Sequence, residues 1–194
     1  MKFHSDIDID FGDRDLLLPY IDVTHASMGD SPNIRRHNTG VYVTDVPYDP
    51  IRDCCAINYV AAEERGYMKI DMLNVFVYKY VRDEQHLQML MQNPDWSMLH
   101  DKETFERLIH IGRHYDSMML MPEPIDSIPR MAMFLSIIRP AKRHLIGKSW
   151  AEVASDVWNT TDTGYAFKRS HAVAYAHLVV VHMNLIATGL ALQE

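Results

Sequence analysis

Three aspartates alternate with apolar residues near the start of the chain, in the run DIDIDF at 6–11. Because alternate side chains of an extended strand share a face, this spacing puts Asp6, Asp8 and Asp10 on one face. Neighbouring carboxylates repel each other, and a divalent cation that prefers hard oxygen ligands, Mg²⁺ or Mn²⁺, cancels that repulsion. The run therefore predicts a metal-holding strand. The other interpretation is an acidic N-terminal tail that happens to alternate.

A further aspartate, Asp71, lies in a second apolar segment, MKIDML at 68–73. If this segment neighbours the first strand in a sheet, Asp71 faces Asp8 and Asp10. Three carboxylates around one pocket are what a two-metal site needs, with cations roughly 3.5–4 Å apart to serve the attacking and leaving oxygens. The structural interpretation of Asp71 is a strand-end cap before the helix that follows.

The elements that must position these carboxylates follow from hydrophobic periodicity. Alternation predicts strands early in the chain, and longer periods predict helices later. We expect a short helix at 14–20, strands at 39–46, 55–60 and 67–73, and helices at 74–92, 102–113, 127–138, 149–158 and 169–190. Strands followed by helices indicate an α+β fold, and 194 residues suit one domain over 1–194.

Composition bounds the function. The net charge of -7 argues against an unassisted, sequence-independent grip on nucleic acid, which needs clustered Lys and Arg. Adjacent Cys54 and Cys55 form neither a ready disulfide nor a zinc site, and the N-terminus has no apolar signal core, so the cytoplasm is the expected compartment. The apolar stretch at 172–192 carries His177 and His182, which favours a buried helix and no membrane role.

Five short motifs occur in one order along the chain: DIDIDF at 6–11, RHNTGVYV at 36–43, MKIDML at 68–73, SIIRPAK at 136–142 and GYAFKRSHAVAYA at 164–176. Together they resemble successive motifs of the bacterial DNA polymerase III alpha subunit, the C family of replicative polymerases. The run at 164–176 is the most specific of the five. The resemblance implies a mixed β-sheet palm of the nucleotidyltransferase type with several helices, and a reduced remnant of the fingers at about 139–194.

The resemblance also implies roles for individual residues. Asp8, Asp10 and Asp71 match the family's three catalytic, metal-binding aspartates, which hold two Mg²⁺ (or Mn²⁺) ions. The matching residues of the remaining motifs are His37 and Gly40 in the second, Lys69 before the third aspartate, and Arg139, Arg169, Ser170 and His171 near the incoming nucleotide. Phosphoryl transfer asks a protein mainly for positioned metals and cations that neutralise triphosphate charge. Lys69, Arg139 and Arg169 are the cations expected to do so.

The chain also departs from the family pattern. The family's Gly-Ser phosphate-binding motif would lie before the start of this sequence, and the stretches that hold the family's thumb and most of its fingers are short here. Ala141 replaces a family glycine and Lys168 a family asparagine. Processive synthesis by this chain alone is not expected.

Two functions of different classes remain open. In the first, a DNA polymerase III alpha-like palm retains metal-dependent nucleotidyl transfer in DNA replication, with DNA primer-template and deoxynucleoside triphosphate as partners. In the second, an inactive palm remnant binds replication proteins or DNA, or modulates a host polymerase. Self-association is a further expectation, since a reduced palm leaves apolar surface exposed. A stand-alone miniature would suit a virus, acting in the host cytoplasm.

Overall fold

The computed structural model describes residues 7–159 and 167–189. Asp6, Gly164, Tyr165, Ala166 and the predicted helix end at Leu190 lie outside these residues. The chain divides into two compact units, Met1–Tyr80 and Val81–Glu194. The single palm-like domain stays a prediction.

The first unit is built on a mixed sheet of four strands. Its elements are β1 (Ile7–Phe11), β2 (Thr24–Met28), β3 (Arg35–Tyr42), β4 (Tyr48–Asp49), β5 (Cys54–Cys55), α1 (Tyr59–Glu64) and β6 (Ile70–Asn74). The strand order is β1-β6-β3-β2, with β1 parallel to β6 and with β3 antiparallel to both β6 and β2. Strands β4 and β5 form a separate antiparallel pair. Short 3₁₀ turns cover Arg14–Leu16, Leu18–Tyr20 and Phe76–Tyr80.

A small apolar cluster joins α1 to this sheet. Ala26 of β2, Tyr42 of β3, Cys55 and Ala62 are buried together. Helix α1 begins after Asn58, whose side-chain oxygen accepts a hydrogen bond from the Ala61 N–H at 2.9 Å. The cap therefore defines where the helix begins, and Ala62 packs the helix against the sheet.

The second unit is helical. Its helices are α2 (Glu84–Leu90), α3 (Lys102–Arg107), α4 (Tyr115–Met119), α5 (Ile128–Ile137), α6 (Trp150–Asp156) and α7 (Arg169–Ala187). Shorter 3₁₀ turns cover Trp96–His100, Gly112–His114 and Pro140–Leu145. Helix α5 is buried from Met131 to Ile137 and packs with α7 in one large core.

Helix α7 is long and apolar enough to span a membrane by length and composition alone. Half of its most apolar window is buried within the protein, and α5 packs against it. His182 on α7 is buried, and its Nδ1 accepts a hydrogen bond from the Ile109 N–H at 3.1 Å. These contacts are those of a core helix.

The predicted α+β class is confirmed, as is the helix at 127–138, which the structure has as α5. Four other assignments are corrected. The helix expected at 102–113 ends at Arg107, and a separate 3₁₀ turn covers Gly112–His114. The strand expected at 39–46 begins earlier and ends at Tyr42, and the strand expected at 55–60 is replaced by the end of β5 and the start of α1. The helix expected at 74–92 is interrupted, because Asp83 caps a new helix by accepting from the His86 N–H at 2.7 Å.

Candidate functional site

Asp8 and Asp71 lie directly opposite each other in the sheet. In the parallel pairing of β1 with β6, Asp8 is the register partner of Asp71, and Asp10 is the partner of Leu73. Opposed residues of neighbouring strands share a face, and Asp10 follows Asp8 by two positions. The adjacency expected for the three aspartates is therefore found: all three belong to one face of one strand pair.

Asp10 lies in an environment that disfavours its negative charge. Partial burial, and then the negative charge of Asp8, raise the pKa of the Asp10 carboxyl above its ordinary value. The pKa of the Tyr78 hydroxyl is also raised, by burial and by the charge of Asp10. Within residues 7–159 and 167–189, no hydrogen bond or ion pair offsets the charge of Asp10.

A bulge in β3 brings a second set of side chains to Asp71. Between the pairs His25–Val41 and Ser27–Arg36, the single residue Ala26 stands opposite residues 37–40. Bulges of this kind redirect side chains out of regular alternation. The same segment carries the predicted motif residues His37 and Gly40.

The His37 ring holds the bulge together. Its Nδ1 accepts hydrogen bonds from the Gly40 N–H at 2.9 Å and the Thr39 N–H at 3.2 Å. Because Nδ1 accepts, the neutral ring carries its proton on Nε2. Burial and the charge of Lys69 lower the pKa of His37, with the charge of Asp71 acting in the opposite direction. The neutral imidazole that the hydrogen bonds require is thus the favoured form.

Both carboxylate oxygens of Asp71 are engaged. The Lys69 ammonium forms an ion pair with Oδ2, and the Thr39 hydroxyl donates a hydrogen bond to Oδ1 at 2.6 Å. The side chains of Lys69 and Asp71 are only 17% and 14% exposed. The protein itself therefore compensates the charge of Asp71 and orients its carboxylate. A role as a strand-end cap does not explain these two contacts.

Gly40 gives Lys69 its position. Gly40 is the register partner of Asp71 in the pairing of β3 with β6. A Cβ added at Gly40 would lie 2.7 Å from Cδ and 3.0 Å from Cγ of Lys69. The missing side chain therefore leaves the space in which the aliphatic part of Lys69 lies. The Lys69 ammonium also lies 5.7 Å from the centre of the Tyr59 ring, which His37 contacts edge-on.

The donor chemistry of the three aspartates suits Mg²⁺ or Mn²⁺, since all of their ligand atoms are carboxylate oxygens. Across the part of the chain that the structure describes, however, no three His, Cys, Asp or Glu side chains are grouped so that they could hold a metal ion. The oxygens of Asp71 are instead engaged by Lys69 and Thr39. The two-metal site stays a prediction.

The remaining predicted site residues belong to the second unit. Arg139 follows α5, and its guanidinium lies 4.9 Å from the centre of the Phe167 ring. Its Nε is buried and has no hydrogen-bond partner among the described residues. Burial, and then the charge of Arg139, lower the pKa of His110 to about 4. His110 therefore lies beside Arg139 as a neutral ring.

Arg169, Ser170 and His171 form the first turn of α7. The Arg169 guanidinium lies 5.8 Å from the centre of the Trp158 ring, and the His171 ring contacts Phe167 edge-on. Arg169 and Ser170 are exposed. Cationic and aromatic side chains thus lie side by side at the start of this helix.

Sequence reasoning missed Thr39, Tyr59 and Phe167 as members of these clusters. Thr39 and Phe167 lie inside the motifs at 36–43 and 164–176, so the motif boundaries contained them, although no role was evident. Tyr59 carried no signal, since the segment was expected to be a strand. Only the bulge and the N-terminus of α1 reveal that Thr39 and Tyr59 converge on Asp71 and Lys69.

Comparisons of this chain with models of known protein families, with curated proteins and with solved structures find no match.

Proposed function

We propose that the first unit is a palm of the nucleotidyltransferase type, and that the chain carries out metal-dependent nucleotidyl transfer in DNA replication. The observation that supports this most strongly is the register that sets Asp8 beside Asp71, with Asp10 on the same face. This arrangement collects carboxylates from two strands, as a site for divalent cations requires. It also agrees with the order of motifs that resembles the DNA polymerase III alpha subunit.

In this proposal Asp8, Asp10 and Asp71 hold two Mg²⁺ or Mn²⁺ ions. When bound, such ions activate an attacking oxygen and stabilise the leaving group of a phosphoryl transfer. The raised pKa of Asp10, caused by burial and by the charge of Asp8, is consistent with a face that gains from a bound cation.

The chain's cations then bind the substrate. The resemblance assigns nucleotide binding to Lys69 in the first unit, and to a set of residues in the second unit: Arg139, Arg169, Ser170 and His171. Cations such as Lys69, Arg139 and Arg169 neutralise triphosphate charge. His37 and Gly40 shape the bulge that keeps Thr39 and Lys69 against Asp71. DNA primer-template is the second substrate, and the cytoplasm is the compartment.

A second function has its own support. The Lys69 ammonium and the Thr39 hydroxyl already satisfy both oxygens of Asp71, as expected of a palm remnant that folds without metal. Such a remnant would bind replication proteins or DNA, or modulate another polymerase, and would need no divalent cation.

A thermal-shift and primer-extension experiment separates the two functions. Under the first, Mn²⁺ raises the melting temperature of the wild type but not of Asp8→Asn or Asp71→Asn, and the purified chain extends a primer. Asp45→Asn, which changes an exposed aspartate in the loop after β3, is the matched control and keeps the wild-type shift. Equal Mn²⁺ shifts in all four proteins, with no extension, would exclude metal-dependent transfer and leave the remnant.

A further inference from the structure

We propose that the Lys69 ammonium stands in for a divalent cation at Asp71, and that a polyphosphate draws it away, so that the site takes up cation and triphosphate together. The inference rests on the proposed function, because it concerns the regulation of the same carboxylates. It adds that a cation arriving alone binds more weakly than one that arrives with a triphosphate, because it must displace Lys69 by itself.

The contact that carries the inference is the ion pair of Lys69 with Asp71. Both side chains are mostly shielded from water, so the ammonium and the carboxylate compensate each other's loss of hydration. Thr39 fixes the second oxygen of the same carboxylate. A cation that binds Asp71 must therefore displace Lys69, whereas a solvated carboxylate would offer no such resistance.

The space for Lys69 is built into the sheet. A side chain at Gly40 would collide with Cγ and Cδ of Lys69, so the strand opposite Asp71 carries the one residue type that leaves this room. Ala26, whose Cβ would lie 3.1 Å from the same added atom, closes the other side of the space. The lysine is held over β3 by shape as well as by charge.

The Lys69 ammonium has a second contact beside the ion pair. Its ammonium lies 5.7 Å from the centre of the Tyr59 ring, and a lysine is a point charge on a flexible stem. Rotation about the bonds of that stem can turn the ammonium toward a bound phosphate. When Lys69 turns to the polyphosphate, it releases Asp71 for the divalent cation in the same movement. The cation and the polyphosphate therefore raise the affinity for each other by the same factor.

The first measurement is the affinity for Mn²⁺ alone, followed by electron paramagnetic resonance of the free ion with the full chain. Lys69→Met is expected to bind Mn²⁺ about tenfold more tightly than the wild type, the low end of what an adjacent opposite charge does to a carboxylate. Lys79→Met is the matched control, since it removes a lysine that pairs with Asp13 in the same unit. Its Mn²⁺ affinity should stay within about twofold of wild type.

The second measurement is binding of a fluorescent, non-hydrolysable deoxynucleoside triphosphate analogue at saturating Mn²⁺. Here Lys69→Met should bind about tenfold more weakly than the wild type, and Lys69→Arg should recover most of the loss. A general loss of structure would weaken the binding of both ligands. Tighter binding of Mn²⁺ together with weaker binding of the triphosphate analogue therefore indicates displacement. An unchanged or weakened Mn²⁺ affinity in Lys69→Met would overturn the inference.

Gly40→Ala keeps the lysine and removes its space, so it tests the same idea if Lys69→Met does not fold. We expect its Mn²⁺ affinity to rise severalfold, and an unchanged value would overturn the inference. Asp8→Asn and Asp71→Asn separate this failure from that of the proposed function. If they leave Mn²⁺ binding intact, the metal site itself is wrong; if they abolish it while the Lys69 and Gly40 variants bind normally, only the displacement is wrong.

Discussion

Asp8 of β1 and Asp71 of β6 are register partners on neighbouring parallel strands, so two acidic side chains share a face where most sheets avoid like charges. Lys69 compensates Asp71, while Asp10 is left with a raised pKa caused by burial and by Asp8. The described residues therefore compensate the negative charge of this face only in part. Measurements of stability can detect the effect.

Asp10→Asn should stabilise the metal-free protein at neutral pH. The folded state raises the pKa of Asp10 through burial and the charge of Asp8, so folding disfavours its ionised form. The wild type loses stability relative to Asp10→Asn as pH rises above about 4, by a few tenths of a kcal/mol because solvent screens the site. Urea unfolding between pH 4 and 7 measures this, with Asp45→Asn as the control; a difference that is constant with pH would contradict it.

Thr39→Val should destabilise the first unit by about 1.5 kcal/mol. The substitution keeps the branched shape of the side chain but removes the hydroxyl that donates to Asp71 at 2.6 Å. Thr39→Ser, which keeps the hydroxyl, should retain most of the stability. Chemical denaturation of the three proteins at pH 7 tests this, and equal losses in both variants would mean that the hydrogen bond contributes little.

His37 should make stability fall below neutral pH. Burial and the charge of Lys69 lower the pKa of His37 in the folded state, so its contribution is present above the ordinary value of 6.5. It is lost as pH falls from there through the folded pKa, because protonation removes the Nδ1 acceptor from the N–H groups of Gly40 and Thr39.

The matched variant is His37→Asn, whose amide oxygen can accept a hydrogen bond but does not titrate in this range. Unfolding curves at pH 7 and 5 should show a smaller loss for His37→Asn than for the wild type. Parallel losses would assign the effect to another histidine.

Lys142→Met should destabilise the second unit by about 1.5–3 kcal/mol, the typical contribution of a hydrogen bond made by a charged group. Lys142 is 1% exposed, and its ammonium donates to the backbone oxygen of Asp156 at 2.7 Å and to its Oδ1 at 3.2 Å. Lys148→Met, which alters an exposed pair with Glu152, should leave stability nearly unchanged, because solvent screens such pairs. Similar thermal shifts in the two variants would rule out a special role for the buried lysine.

The alternation of aspartates predicted a strand at the start of the chain, with Asp8 and Asp10 on one face, and the structure has this strand as β1. Period-two spacing fixes which side chains share a face, and a hydrophobic run from 127 to 138 fixed the helix that the structure has as α5. These signals depend only on residues close together in sequence, so they predict single elements without knowledge of the tertiary structure. The pairing of the two strands was a condition of the metal-site hypothesis, and the structure meets it by pairing β1 with β6.

The parts that failed depend on contacts between distant residues. The bulge at residues 37–40 exists because the His37 ring accepts from Gly40, which no periodicity expresses. The segment at 55–60 has the composition of a strand, yet Asn58 caps a helix there. The pairing of Lys69 with Asp71 was not foreseen either, because spacing by two along a strand indicates a shared face but not a bond.

Pairing β1 with β6 joins the beginning of the first unit to its far end, across all of the intervening chain. We expect a contact so remote in sequence to form late in folding, since closing a long loop costs entropy. Any ligand that bridges Asp8 and Asp71 consequently acts as a non-covalent staple. It should slow unfolding and protect the amino-terminal strand from proteases, whether or not chemistry follows.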